Sequence, residues 1–264
     1  MSLKLDHVVI GVADLEQAAA AYGQLGFTVI RGGEHANGIT RNVLVVFQDG
    51  VYLELIGWRR PDPGHRWSEV FHAAGEGFLD HALLPDDIGA DVAAAQERGL
   101  DIEVPVPGGR LRPDGQRLEW RTARSPGADV PFLCGDITPR RLRVEEGEVR
   151  RHANGATGVA EVVVAVRNVE RSLGRYAALL GSDSPPPARD GQVAGGPARV
   201  GTLSLARGTR VTLACPLGTA GPLAAALATR GEGPFSLTLE GERSLELDPA
   251  LLHGARLALQ AGQL

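Results

Sequence analysis

The amino-acid sequence predicts an α+β protein built from about three and a half βαβββ modules. Short apolar segments with strand-like composition alternate with helical patterns throughout the chain. The tripeptide Leu-Asp-His occurs twice, at residues 5–7 and 79–81. The segment His7–Val12 is also echoed by Glu161–Val166, 154 positions later (161 − 7). Repeats of this kind decide an architecture more firmly than any single predicted element.

The first module is predicted as a strand, a helix and three further strands. Leu5–Val12 reads as the first strand because aliphatic and β-branched residues dominate it. A helix follows, with Asp14 as its N-cap, an apolar stripe at spacings of three and four, and Gly26 at its end. The remaining predicted strands are Phe27–Ile30, Thr40–Gln48 and Val51–Ile56.

The second module repeats this order after a connection rich in proline, glycine and charge at residues 59–77, which contains one predicted helical turn around residues 67–72. Its predicted elements are a strand at Phe78–Leu84, a helix at Ile88–Arg98, and strands at Ile102–Pro105, Gln116–Ala123 and Val130–Asp136.

The third module begins at Val159 and a shortened fourth follows it. The predicted elements are helices Val169–Leu180 and Pro222–Arg230, and strands Ala198–Ala206, Arg210–Ala214 and Phe235–Glu240. Residues 139–157 are rich in charge and glycine, and the basic run Arg140–Arg143 precedes several glutamates, which predicts a solvated linker. The expected domains are therefore 1–138, made of modules 1–58 and 77–138, and 158–264.

Composition restricts the class of partner. The net charge of −5 and the pI near 5.8 argue against a nucleic-acid-binding surface. No apolar run approaches the roughly 18 residues of a membrane span, and no signal-peptide core is present. The two cysteines form no disulfide framework. We expect a cytoplasmic protein whose partner is a small molecule.

Two ionisable residues stand out, since His7 and Glu54 each lie within a mostly apolar predicted strand. An unpaired carboxylate in apolar surroundings costs several kcal/mol. Glu54 must therefore face solvent, pair with a cation or bind a metal.

The repeated module, with a histidine early in its first strand and a glutamate in its fourth, resembles the vicinal oxygen chelate superfamily. More narrowly, the segments Gly32–His35, Gly38–Asn42 and Tyr52–Leu55 resemble the glyoxalase-like domain subgroup. This resemblance implies that two modules pair so that their curled mixed sheets form a cup. More than two modules in one chain allow the cup to form within a monomer, so monomer and homodimer both remain open.

The resemblance also implies a metal site at the first and fourth strands of each module. It assigns the ligands His7, Glu54 and His81, and it places Gly135 where a carboxylate is usual. Cys134 or Asp136 would have to reach the site to supply a fourth ligand. Two imidazoles and a carboxylate suit Fe(II), Mn(II), Zn(II) or Ni(II).

The function implied is that of a divalent-metal-dependent lyase or isomerase, or a dioxygenase, acting on a substrate with vicinal oxygens. The metal would stabilise the developing oxyanion while Glu54 moves protons. Candidate substrate contacts are His35, Arg41, Asn42 and Trp58. Strand alternation allows at most one of Arg41 and Asn42 to point inward.

The alternative is a metal-free small-molecule-binding protein of the bleomycin-resistance type on the same scaffold, which Gly135 favours. A structural module with a vestigial site is a third possibility. Glu119 is a candidate replacement carboxylate or a surface residue. In the third module Glu161 and Ala214 occupy the ligand positions, so no metal site is expected there, and Glu161 should pair with an arginine.

Overall fold

The N-terminal half of the chain folds into a closed eight-stranded barrel. The computed structural model describes residues 3–262. In chain order, the elements of this half are β1 (Lys4–Gly11), α1 (Leu15–Gln24), β2 (Ile30–His35), β3 (Thr40–Val46), β4 (Tyr52–Trp58), α2 (Arg66–Ala74), β5 (Gly77–Leu84), α3 (Ile88–Glu97), β6 (Val106–Leu111), β7 (Arg117–Ala123) and β8 (Phe132–Asp136).

The barrel joins two βαβββ modules at two seams. Its strand order is β1-β4-β3-β2-β6-β7-β8-β5, so each module contributes four adjacent strands. Antiparallel pairing of β1 with β5 forms one seam, and antiparallel pairing of β2 with β6 forms the other. The predicted fold of repeated modules is confirmed. The paired sheets enclose the space between them as a barrel, so a cavity within it has walls from both modules.

Local sequence explains the first helix and one misplaced strand. The carboxylate of Asp14 accepts hydrogen bonds from the backbone N–H groups of Glu16 and Gln17, as an N-cap should. The second strand starts at Ile30, not at the predicted Phe27. Phe27 is buried against Tyr22 instead, so its apolar character reflects core packing.

The sixth strand also differs from the prediction. The apolar pattern at Ile102–Pro105 suggested a strand there, but β6 covers the sequence Val-Pro-Gly-Gly-Arg-Leu. That segment lacks apolar alternation, and its pairing with β2 and β7 defines the strand. Tertiary context thus overrides local propensity.

The C-terminal half forms a curled six-stranded sheet of the same design. Its elements are α4 (Arg140–Arg143), β9 (Ala156–Ala165), α5 (Val169–Leu180), β10 (Arg189–Val193), β11 (Gly196–Ser204), β12 (Arg210–Pro216), α6 (Pro222–Arg230), β13 (Gly233–Gly241) and β14 (Leu257–Ala261). The order is β10-β11-β12-β9-β13-β14. Strand β13 pairs with β9 as β5 pairs with β1, and β14 lies parallel to β13 as β8 does to β5. The sequence pattern does not predict β10 or β14.

The two halves share one hydrophobic core, which includes Tyr22 from the first and Tyr176 from the second. The Tyr22 hydroxyl donates to the backbone carbonyl of Leu252 across this contact at 3.3 Å. Glu161 lies 3.6 Å from Arg210, which confirms its predicted arginine partner. Among the helices of residues 3–262, none has the length and apolar character needed to cross a bilayer.

Candidate active site

A cavity of about 560 Å³ lies inside the barrel. Its volume is in the usual range for a small-molecule site. All three tryptophans of the chain, Trp58, Trp67 and Trp120, line it together with Phe132. Its polar lining residues include His7, His35, Asn42, Tyr52, Glu54, Arg110, Arg124 and Arg143. The cavity therefore combines aromatic walls with several charged or titratable groups.

Strand pairing places Glu54 and its neighbours on the inner face. In the parallel pair of β1 and β4, Val9 is opposite Glu54 and His7 is opposite Tyr52. On β3, Asn42 faces the cavity, whereas Arg41 points outward and lies 3.9 Å from the carboxylate of Glu16. Alternation along the strand accounts for this difference.

Glu54 is the centre of a buried polar cluster. The residue is 5% exposed, and its Oε1 accepts a hydrogen bond from Asn42 Nδ2 at 2.6 Å. His7 Nε2 lies 3.4 Å from Oε2, and His35 Nε2 lies 3.5 Å from Oε1. Burial alone would raise the pKa of Glu54, but the two facing imidazoles and the Asn42 amide hold it below its usual value. Glu54 is thus a carboxylate at neutral pH.

Asp6 orients the His7 ring. His7 Nδ1 lies 2.8 Å from Asp6 Oδ2, and the ring stacks on Tyr52 with centroids 4.7 Å apart. Although Asp6 is fully buried, the nearby Arg143 and Arg140 and the His7 hydrogen bond keep its pKa well below the usual range. An ionised carboxylate only accepts, so Nδ1 donates and Nε2 is directed towards Glu54. A proton or another cation between Nε2 and Oε2 is required for that contact to attract.

His35 contributes the second imidazole from β2. Its Nδ1 lies 2.8 Å from the hydroxyl of Thr40, which fixes the ring. Burial lowers the pKa of His35, although the facing carboxylate of Glu54 opposes that shift. His35 is one of the predicted substrate contacts, and the structure brings it to the cavity with Asn42 and Trp58.

Arg143 reaches the cavity from the segment predicted to be a solvated linker. The residue is 4% exposed, which contradicts a solvated role for it. The guanidinium pairs with Asp6 and Asp136 and donates to the Tyr52 hydroxyl at 2.8 Å. Charge balance in sequence was misleading here, because the acidic partners of Arg143 come from strands and not from the glutamates that follow it.

The structure does not bring His81 to the cavity. In the seam between β1 and β5, His81 is opposite Val8, so its side chain lies on the outer face of the barrel. Its Nε2 lies 3.0 Å from the Tyr176 hydroxyl, in the interface with the C-terminal half. Burial lowers the pKa of His81 to about 4, so the ring is neutral. The prediction of His81 as a ligand requires that the two Leu-Asp-His segments occupy equivalent positions in their modules, and they do not.

Two irregularities in the β1–β5 seam define the true correspondence between modules. Asp6 is skipped by the pairing on β1, and Leu79 is skipped on β5. These positions are 73 apart (79 − 6), whereas the Leu-Asp-His repeat has a spacing of 74 (81 − 7). The structural counterpart of His7 is therefore Asp80.

The same correspondence identifies the counterpart of Glu54. Val9 corresponds to Ala82, and Ala82 pairs with Phe132 as Val9 pairs with Glu54. Phe132 therefore occupies the position of Glu54 in the second module. The two family ligand positions of that module hold Asp80 and an aromatic ring.

Asp80 is already neutralised by basic groups. It pairs with Arg66 and with Arg124, and it accepts a hydrogen bond from Trp67 Nε1 at 2.8 Å. Burial would raise its pKa, but the two arginines hold it below the usual value. The Arg124 guanidinium also lies over the Phe132 ring, 4.2 Å from its centroid. This Asp80 cluster closes the second-module side of the cavity.

The fourth predicted ligand position also lies off the cavity. A Cβ at Gly135 would point towards Ile88 and Pro85, on the outer face. Cys134 is the inward residue, and burial raises the pKa of its thiol to about 12. Asp136 pairs with Arg143. Among residues 3–262, no three His, Cys, Asp or Glu side chains form a group that could hold a metal ion.

Several site residues were not identified from the sequence. Glu119, the candidate replacement carboxylate, is exposed and pairs with Arg117. Its neighbour Trp120 is the inward residue, and a Cβ at Gly108 would collide with its indole. The glycine is thus needed for the ring to lie across β6. Arg110 was overlooked because its strand was not predicted.

Comparison with known proteins supports the fold. The family model of the glyoxalase-like domain matches residues 5–180. No curated protein matches the chain. A hypothetical protein from Staphylococcus aureus has a similar structure, with a TM-score of 0.72 and 13% identity, over 98% of this chain and 100% of that one.

Two further structures share the fold at 18% identity. A mutant of 4-hydroxymandelate synthase from Streptomyces coelicolor has a TM-score of 0.65, over 90% of this chain and 71% of that one. A fusion protein of a xylose isomerase-like TIM barrel and 4-hydroxyphenylpyruvate dioxygenase has a TM-score of 0.52, over 91% of this chain and 37% of that one.

Proposed function

Because the chain belongs to the glyoxalase-like domain family, we propose that it is a small-molecule lyase or isomerase whose substrate carries oxygens on adjacent carbons. The observation that carries this proposal is the buried carboxylate of Glu54, which faces two imidazoles within 3.5 Å in an aromatic-walled cavity. Such a cluster has the groups needed to remove, hold and return a proton.

The family's metal site does not fit the residues of the second module. His7 and Glu54 offer two ligands, but their counterparts are Asp80, which two arginines already neutralise, and Phe132, which has no donor atom. Asn42 already donates a hydrogen bond to Glu54 Oε1, and a proton shared between Oε2 and His7 Nε2 is enough to make that contact attractive. The proposed reaction therefore uses acid–base chemistry of the side chains.

The proposed reaction is the isomerisation of a 2-hydroxy carbonyl compound. Glu54 removes the proton from the carbon that carries the hydroxyl group, and protonated His7 donates its proton to the carbonyl oxygen, giving an enediol. The imidazole then takes the proton of the original hydroxyl group, and the Glu54 carboxylic acid returns its proton to the neighbouring carbon. Every proton is returned, so no co-reactant is consumed.

Solvent deuterium exchange tests this proposal without knowledge of the product. Aromatic 2-hydroxy ketones are incubated with the protein in D₂O, and loss of the C–H signal is followed by proton NMR. We expect the wild type to accelerate exchange and Glu54→Gln to lower the rate by about 10²- to 10⁴-fold, the usual contribution of a positioned base. Glu119→Gln is the matched control, because that carboxylate is exposed. Equal exchange rates in Glu54→Gln and the wild type would refute the role of Glu54.

A metal-free binding protein is the second candidate. The cavity contains the Trp58 indole N–H and the Asn42 carbonyl oxygen, both buried without a partner in the described chain. These groups favour a bound ligand whether or not it reacts. Saturable binding with no exchange above the buffer rate for any aromatic hydroxy ketone would favour this candidate over the enzyme.

A further inference from the structure

Arg110 is a buried cation without a carboxylate partner. It lies on β6 opposite His35, and its side chain is 4% exposed. Nη2 donates to the backbone carbonyl of Arg143 at 2.9 Å, whereas Nη1 has no hydrogen-bond partner among residues 3–262. No Asp or Glu oxygen of the described residues forms an ion pair with this guanidinium.

The other arginines of the cavity are compensated. Arg143 pairs with Asp6 and Asp136, and Arg124 pairs with Asp80. The carboxylate of Glu54 lies in the same cavity, but its contacts are the Asn42 amide and two imidazoles. Arg110 thus differs from every other arginine that lines the cavity.

A buried guanidinium that lacks a directly paired anion is unfavourable. Burial lowers the pKa of Arg110, and the more distant Tyr52 and Glu54 oppose that shift only in part. Arginine keeps its proton in proteins, so the charge remains. The native chain tolerates this cost although a neutral side chain of similar length would avoid it. Such a cost in folding stability is expected where the charged group binds a ligand, because residues of functional sites are commonly less stable than the alternatives.

The surroundings of Arg110 are arranged for recognition. Its head group and the amide of Asn42 lie against Gly32, where a Cβ would collide with Asn42 Oδ1 and Arg110 Nη1. Trp58 and Trp120 line the same cavity. An arginine fork matches the two oxygens of a carboxylate, and the indole rings match an aromatic group.

We propose that the occupant of the cavity is a small aromatic carboxylate whose carboxylate group binds Arg110. This inference rests on the proposed function, since it names the substrate class of the same cavity. The carboxylate would pair with the one arginine of the described cavity lining that forms no ion pair, and the aromatic group would lie between the tryptophans. The remaining carbon atoms of the substrate would then face Glu54.

Tryptophan fluorescence tests the inference, because every tryptophan of the chain lines the cavity. The probes are phenylacetate and its neutral isostere phenylacetamide. We expect the wild type to bind phenylacetate at least ten-fold more tightly, Arg110→Met to lose this preference, and Arg110→Lys to retain part of it. Arg41→Met is the matched control, since Arg41 points away from the cavity. Its preference should equal that of the wild type.

Thermal unfolding of the ligand-free variants provides an independent measurement. Arg110→Met should unfold at a temperature equal to or above that of the wild type, because an uncompensated charge is removed. A large loss of thermal stability in Arg110→Met would overturn the inference, as would equal affinity of the wild type for phenylacetate and phenylacetamide. Failure of the proposed function looks different: no deuterium exchange, whatever the preference between the two probes.

Discussion

Asp80 occupies in the second module the position that His7 occupies in the first. Irregular pairing at Asp6 and Leu79 fixes this correspondence, and it differs by one residue from the correspondence that the Leu-Asp-His repeat suggests. A shift of one residue moves a side chain to the opposite face of a strand. The position of an expected imidazole is thus taken by a carboxylate that two arginines hold.

Substitution of Asp80 should destabilise the protein strongly. Asp80→Asn leaves Arg66 and Arg124 without their carboxylate, and removal of one partner of a buried ion pair typically costs about 3–5 kcal/mol. Urea denaturation at pH 7 measures the change. Asp114→Asn is the control, because Asp114 pairs with Arg112 at the surface, and its midpoint should not move. A midpoint for Asp80→Asn equal to that of the control would show that the cluster has no structural role.

His81 predicts a pH dependence of stability. Its folded pKa of about 4 lies below the ordinary value of 6.5, so the unfolded chain takes up the proton first as the pH falls. The stabilisation is therefore complete above pH 6.5 and is lost between 6.5 and about 4. This shift corresponds to roughly 3 kcal/mol by linkage.

Comparison with His81→Gln isolates this effect, because burial also lowers the pKa values of His35, His65 and His152. Glutamine does not titrate, and its amide can still hydrogen-bond to Tyr176. Unfolding free energies are measured from pH 4 to pH 8, and the variant should show a shallower dependence. Parallel curves for the two proteins would rule out titration of His81 in this range.

The order of the modules could be predicted from the sequence, but the side of the strand on which each side chain lies could not always be predicted. Hydrophobic periodicity placed β1, β4 and β5, and alternation correctly allowed only one of Arg41 and Asn42 to point inward. The pairing irregularities at Asp6 and Leu79 have no signature in the local sequence, so the outward orientation of His81 could not be predicted. Arg110 was missed for a related reason, since its strand is defined by the strands beside it.

Arg143 should be essential for stability, whereas its neighbour should not. Arg143→Met removes the fully buried partner of Asp6 and Asp136 and leaves them only the partly exposed Arg140, which we expect to cost about 3 kcal/mol. Arg141→Met is the matched control from the same short helix, because Arg141 is exposed. Chemical denaturation of both variants provides the test. Equal loss in the two would mean that the segment acts only as a linker, as its composition first suggested.

Metal content decides between acid–base chemistry and the metal-dependent reaction that the family resemblance implies, including oxygenation. Protein purified without chelator should contain no stoichiometric Fe, Mn, Zn or Ni, because the second-module positions hold Asp80 and Phe132. Deuterium exchange should survive dialysis against a chelator and should not rise when each metal is added back. Elemental analysis and the exchange assay are performed on the wild type, His7→Ala and Glu54→Ala. A stoichiometric metal that is lost in both variants, with exchange that depends on it, would establish the metal site at His7 and Glu54 and refute the metal-free reaction.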